Sequence, residues 1–112
     1  MSDRSAIVPP ADHMAANARD AAGFLKTLAH EGRLMILCHL GSGEKSVGEL
    51  ETLLGIRQAA VSQMLARLRE EGLVSTRRDG KTIFYSLAND DTGRVIGLLY
   101  EIFCKPPEGG VN

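Results

Sequence analysis

Between Ser46 and Leu68 the chain reads SVGELETLLGIRQAAVSQMLARL, with apolar residues three or four apart on either side of one glycine. That spacing dictates two short helices joined by a tight turn. Ser46 with Glu49 three residues later forms a capping box, and Val47, Leu50, Leu53 and Leu54 supply a buried stripe. Gly55 ends the first helix and Ile56 anchors the turn. On the second helix Ala60, Val61, Met64, Leu65 and Leu68 form the apolar face, leaving Arg57, Gln58, Ala59, Ser62, Gln63, Ala66 and Arg67 outward. These outward groups are short, basic or amide-bearing, which suits close approach to phosphates and base edges in a DNA major groove. The amides of Gln58 and Gln63 are the best candidates for base reading. An ordinary helical hairpin whose polar face meets only water satisfies the same pattern, because a helix-turn-helix has a weak sequence signature.

The following residues narrow that choice. The run LVSTR at 73–77 has the branched residues of a strand, RDGK at 78–81 is a turn expected to centre on Asp79-Gly80, and TIFYSL at 82–87 returns. Helix, turn, helix and β-hairpin in that order make a winged helix. The expected fold is mainly α with a β-hairpin wing, an α+β winged helix-turn-helix. Arg77, Arg78 and Lys81 are placed at the wing tip, where they would meet the backbone or minor groove beside the helix. A merely solvated basic hairpin is the competing reading.

A net charge of −1 over 112 residues conflicts with nucleic-acid binding until it is divided. From Arg57 to Tyr85, six basic residues stand against three acidic ones, a local charge of +3 that leaves −4 for the remainder. The charge is polarised, as expected if one surface faces DNA. No apolar run is long enough to span a membrane and no leader pattern is read, so the expected compartment is the cytoplasm.

Three segments are expected: a flexible arm over 1–11 ending near Pro9-Pro10, one DNA-binding and dimerisation domain over 12–105, and a tail over 106–112. Met14, Ala18, Ala21, Ala22, Leu25 and Leu28 predict a first helix over 12–28, in which Gly23 would permit a close helix contact. HEGR at 30–33 is read as a junction before LMILCHL at 34–40, a helix apolar almost all round and so expected at the centre of the core. Asn89, Asp90 and Asp91 cap a last helix from about Thr92 to Cys104. Its Val95, Ile96, Leu98, Leu99, Ile102 and Phe103 exceed what so small a monomer buries, which predicts a homodimer through the first and last helices. Such a two-fold dimer would set two recognition helices on successive turns of a palindromic operator.

Two cysteines remain, Cys38 in the apolar helix and Cys104 at the end of the last one. By spacing alone both read as small hydrophobes. The sequence holds no zinc-type ligand cluster and no cofactor motif, and no nucleophile, base and orienting group converge. The expectation is no enzyme, no cofactor and no metal.

The stretches LAHEGRLMILCHL at 28–40, SVGELETLLGIRQAAVSQMLARLREEGLVSTRRDG at 46–80 and KTIFYSL at 81–87 resemble the ArsR/SmtB type of dimeric winged-helix repressors. Within that family the chain is similar to the dithiol branch that senses sulfide and reactive sulfur, with ILCHL placing one thiol at Cys38 and YEIFC the other at Cys104. The resemblance implies a repressor that binds its operator when reduced and lets go when persulfide or polysulfide joins the two thiols. Response to peroxide or to a thiophilic metal ion, and a winged-helix protein-interaction module with structural cysteines, are the alternatives. The chain departs from metal-sensing relatives, with SVGE at 46–49 in place of their cysteine motif and Asp91, Arg94, Glu101 and Cys104 in the last helix without histidine. It departs from the dithiol branch in the recognition helix, at Arg57 and at Met64.

Overall fold

Six side chains have no exposure at all among the apolar residues: Ile36, Leu37, Leu50, Val61, Leu65 and Leu68. They come from three helices, and their meeting sets the architecture. The computed structural model describes residues 11–104, so the expected tail and all but the last residue of the expected arm lie outside the described residues. The elements are α1 (Ala11–Ala15), α2 (Ala18–Leu28), α3 (Glu31–Leu40), β1 (Lys45–Ser46), α4 (Val47–Leu54), α5 (Gln58–Glu70), β2 (Val74–Asp79), β3 (Thr82–Leu87) and α6 (Asp90–Cys104). Leu28, Leu40, Leu73, Val74 and Ile96 close the core around the α3–α4–α5 cluster. The fold is a mainly α-helical winged helix-turn-helix.

Local chemistry explains the helix-turn-helix. Ser46 Oγ accepts from the Glu49 N–H at 3.1 Å while Glu49 Oε1 accepts from the Ser46 N–H at 2.8 Å, the full capping box. Gly55 takes the left-handed conformation (φ 69°), and its N–H reaches the Glu51 carbonyl at 2.9 Å. Only glycine enters that region without a steric cost, so α4 stops there and the chain turns into α5. Within α4 the buried stripe is narrower than expected. Leu50 is buried and Val47 and Leu54 pack on the core, but Leu53 remains 49% exposed. Ala60 is likewise exposed.

Four other expectations are corrected. The helix expected over 12–28 is broken, because Asn17 adopts a non-helical conformation (φ −113°) and α2 starts after it. Asparagine is a weak helix former, which favours such a boundary, although the Asn17 side chain makes no cap bond here. A Cβ added at Gly23 meets nothing within 4 Å, so no close helix contact exists there within the protomer. The junction at 30–33 is the first turn of α3, with extended His30 as its cap and His30 Nδ1 accepting from the Arg33 N–H at 3.2 Å. Finally, α3 is one-sided: Ile36, Leu37 and Leu40 are buried while Met35 and Cys38 are exposed.

The sheet has three strands in the order β1-β3-β2. β2 and β3 pair antiparallel from Val74↔Leu87 to Asp79↔Thr82, so the two-residue turn is Gly80-Lys81, one residue later than expected. Gly80 has φ 66°, the positive value that both favoured hairpin turns require at their first central position. Strand β1 is not foreseen by the sequence pattern, and its Lys45↔Tyr85 and Ser46↔Phe84 pairs tie the start of α4 to the wing. Two residues are too few for a period-two signal. At α6, Asn89 Oδ1 accepts from the Thr92 N–H at 2.9 Å, and the helix begins at Asp90.

Leu65→Ala should cost about 2–5 kcal/mol as a cavity in a core with no exposure at that site. Ser46→Ala should cost about 1 kcal/mol through loss of the cap. Urea unfolding of both variants at one protein concentration checks the order.

Candidate nucleic-acid interface and thiol pair

Helix α5 buries Val61, Leu65 and Leu68 and turns its other side to solvent. At about 100° per residue, Ala59, Gln63 and Ala66 lie opposite that buried stripe. Gln58, Ser62 and Arg69 flank them on one side and Arg67 on the other. Gln58, Ala59, Ser62 and Gln63 are all exposed, whereas Arg67 is half-buried and pairs with Glu71 (Nε–Oε2 3.4 Å). Arg57 is the N-cap residue in an extended conformation, exposed, with no side-chain cap bond and no acidic residue in the first turn beyond it. The positive end of the helix dipole is therefore left unopposed by local acids, which favours a phosphate.

The wing meets this helix in two grooves. Gln58 and the wing-tip residues Lys81, Thr82 and Ile83 line one, together with Ser46, Val47 and Gly48. Ser62, Ala66, Arg69, Glu70 and Tyr85 line the other. Sequence reasoning did not single out Arg69. It stands seven residues after Ser62, two helical turns on the same face, and that spacing was the available signal.

Strand alternation sorts the wing arginines. Tyr85 and Leu87 pack toward the core, so Val74, Thr76 and Arg78 share their side of the sheet while Ser75, Arg77 and Asp79 take the other. Arg77 is thus not at the tip beside Arg78 and Lys81. Its Nε donates to Glu44 Oε2 at 2.9 Å and Oε1 at 3.1 Å, and Nη2 also donates to Oε1. Its guanidinium carbon lies 4.8 Å from the centre of the Phe84 ring. Hydrogen bonds from Arg77 hold the Glu44 carboxyl below the usual carboxylate range, and Glu44 holds Arg77 still more firmly protonated. Arg78 and Lys81 are exposed and make no ion pair among the described residues.

Cys38 and Cys104 are both free and both exposed on the protomer. The reading of them as small buried hydrophobes does not describe this arrangement. Partial burial pushes the Cys38 thiol up, and the nearby charge of Cys104 pushes it further in the same direction. His39 is half-buried beside Cys38. Among the described residues no group of three or more His, Cys, Asp or Glu could hold a metal ion, and no helix is long and apolar enough to cross a membrane.

A family model for bacterial regulatory proteins of the arsR family matches residues 30–76, from the cap of α3 into the first strand of the wing. A biofilm growth-associated repressor of Agrobacterium fabrum is 54% identical over 99 residues, covering 88% of this chain and 85% of the relative. The crystal structure of the transcriptional repressor BigR from Xylella fastidiosa superposes with a TM-score of 0.81 at 47% identity, covering 86% of this chain and 98% of that one. Reduced HlyU from Vibrio cholerae gives a TM-score of 0.78 at 44% identity over 82% of this chain and 97% of that one. Identity at this level over most of both chains, on a shared winged fold, places the protein in the arsR family of bacterial regulatory proteins.

Proposed function

We propose that this protein is a homodimeric DNA-binding repressor whose operator grip is released when reactive sulfur species link Cys38 to Cys104. The observation that carries the reading is a pair of free thiols, one on α3 and one at the end of α6, both exposed on the protomer. The relatives named as repressors support a repressor, and the relative described in a reduced form, itself named a transcriptional activator, supports a redox-sensitive site in this fold. Operator contacts fall to Gln58, Ala59, Ser62, Gln63, Arg57 and Arg67 on the recognition helix, and to Arg78 and Lys81 on the wing.

Dimerisation through the first and last helices explains the exposed apolar residues. Met14 and Leu25 lie on α1 and α2, and Leu98, Tyr100, Ile102 and Phe103 on α6, with Phe103 78% exposed. A protomer alone leaves that surface in water, whereas a second copy buries it.

The chemistry balances with polysulfide as the oxidant. One cysteine thiolate attacks an internal sulfur of the polysulfide, forming a protein hydropolysulfide as a shorter polysulfide anion departs. The second thiolate attacks the sulfur that bears the terminal –SH, and hydrosulfide leaves. The bridge therefore retains sulfur beyond the two cysteine atoms. A plain disulfide requires the two Cα atoms within about 4.4–6.8 Å, and extra sulfur relaxes that limit, which favours polysulfide over peroxide as inducer. Bridging α3 to α6 shifts the recognition helices off their half-site spacing without unfolding either subunit.

Three outcomes are expected. Gln63→Ala should lose operator preference more than affinity for scrambled duplex, while Arg78→Gln should weaken both alike. Equal losses for Gln63→Ala at fixed salt would remove it from base reading. Second, Cys38→Ser or Cys104→Ser should leave the reduced dimer on its operator and abolish release by polysulfide. Intact mass and DNA binding read on one sample should show whole sulfur atoms gained, free thiols consumed and affinity reduced together. Release with both thiols intact would sink the mechanism, and release reversed by a chelator with no mass gain would indicate a metal.

The third outcome is a pH dependence. A raised pKa keeps Cys38 in its neutral, unreactive form at neutral pH, so its alkylation rate should still climb above the ordinary thiol pKa of about 8.5. In Cys104→Ser the like charge is gone, and the rise should move to lower pH. Mass-resolved iodoacetamide labelling across pH measures both curves.

A further inference from the structure

The wing holds one arginine that the DNA reading does not use. Arg77 sits on the sheet face turned away from the core, opposite Phe84 on β3, and Phe84 in turn pairs with Ser46 on β1. Glu44 lies two residues before Ser46 and so reaches the same face. The Arg77 side chain therefore crosses β3 over the Phe84 ring and ends on a carboxylate beside β1. Asp79, 3.9 Å from Nη1, adds a second acid. With Glu44 and Asp79 around it, Arg77 leaves this face of the sheet without an unpaired cation among the described residues, whereas Arg78 and Lys81, on the other face and at the tip, make no ion pair among them.

We propose that Glu44 is a specificity-determining residue of the DNA interface, holding the Arg77 guanidinium against Phe84 and withholding its charge from the phosphate backbone. The proposal rests on the reading of the protein as a DNA binder. An exposed ion pair is usually weak because it must immobilise two long side chains. Here one edge of the planar fork, Nε with Nη2, meets both carboxylate oxygens and the guanidinium lies over a ring, so both side chains are already oriented. A phosphate would have to displace all of these interactions at once. Sequence-independent affinity comes almost wholly from phosphate neutralisation, so an arginine kept off the backbone lowers nonspecific binding and leaves base reading untouched.

The test is a salt titration of the full-length reduced dimer on operator duplex and on scrambled duplex of equal length. Wild type is measured first. Binding to neither duplex overturns the DNA reading and this proposal with it, whereas wild-type binding with the pattern below missing overturns the proposal alone. Arg78→Gln should flatten the slope of log affinity against log salt by about two for a dimer, about 0.9 for each phosphate that is no longer neutralised. Arg77→Gln should leave the slope unchanged. Glu44→Gln frees Arg77, so it should steepen the slope by about one to two and raise affinity for scrambled duplex about three- to tenfold, lowering the operator ratio. The double variant Glu44→Gln with Arg77→Gln should restore the wild-type slope, which a merely structural clamp would not do. Flattening by Arg77→Gln as great as by Arg78→Gln, or no change in Glu44→Gln, overturns the proposal.

Discussion

The burial of Val61, Leu65 and Leu68 against α3 and α4 fixes where every other functional group stands. A helix of 13 residues has little stability of its own, so its position comes from this packing. Once the inner stripe is committed, helical geometry leaves Ala59, Gln63 and Ala66 outward with no further freedom. Small side chains there keep the backbone close to whatever the helix meets, and the glutamine supplies both a donor and an acceptor. Core packing and DNA reading are two sides of one cylinder.

Helix α3 extends that constraint to the thiols. Ile36, Leu37 and Leu40 enter the same core, while Cys38 lies on the opposite side of the same helix. At its N-terminal turn, a Cβ built on Gly32 would come within 2.5 Å of Met64 Sδ, so α3 and α5 are in close register there. A pull on Cys38 acts on a rod that already touches the recognition helix. For the thiol switch proposed above, such contiguity would carry the coupling, and double-mutant cycles measure its size.

Signals local to a few residues were legible in the sequence. The capping box at Ser46, the left-handed Gly55 and the strand pair around Gly80 each reflect a bond or a dihedral that a short stretch determines alone. What depended on distant partners was not legible. A basic wing suggests DNA as the target of Arg77, but Glu44, 33 residues away, decides its direction. Leu53 and Ala60 fit the helical period yet lie at the margins of stripes whose width the neighbouring helices set. Strand β1 exists only because β3 offers it an edge. The exposure of Cys38 could not be read from an all-apolar helix, since which side is covered depends on where α4 and α5 dock.

Strand β1 runs directly into α4, with Ser46 serving as the last strand residue and the helix cap at once. No loop separates β1 from α4, and β1 pairs with β3, so the wing is tied to the start of the helix-turn-helix as well as to the end of α5. A reader tied at both ends in this way resists hinging between its helices and its wing. In the two-fold assembly proposed above, a signal arriving through α3 and α6 would then appear as a phase error along the double helix. Two intact reading heads would fall out of step with the pitch of the duplex, each still shaped for its own half-site.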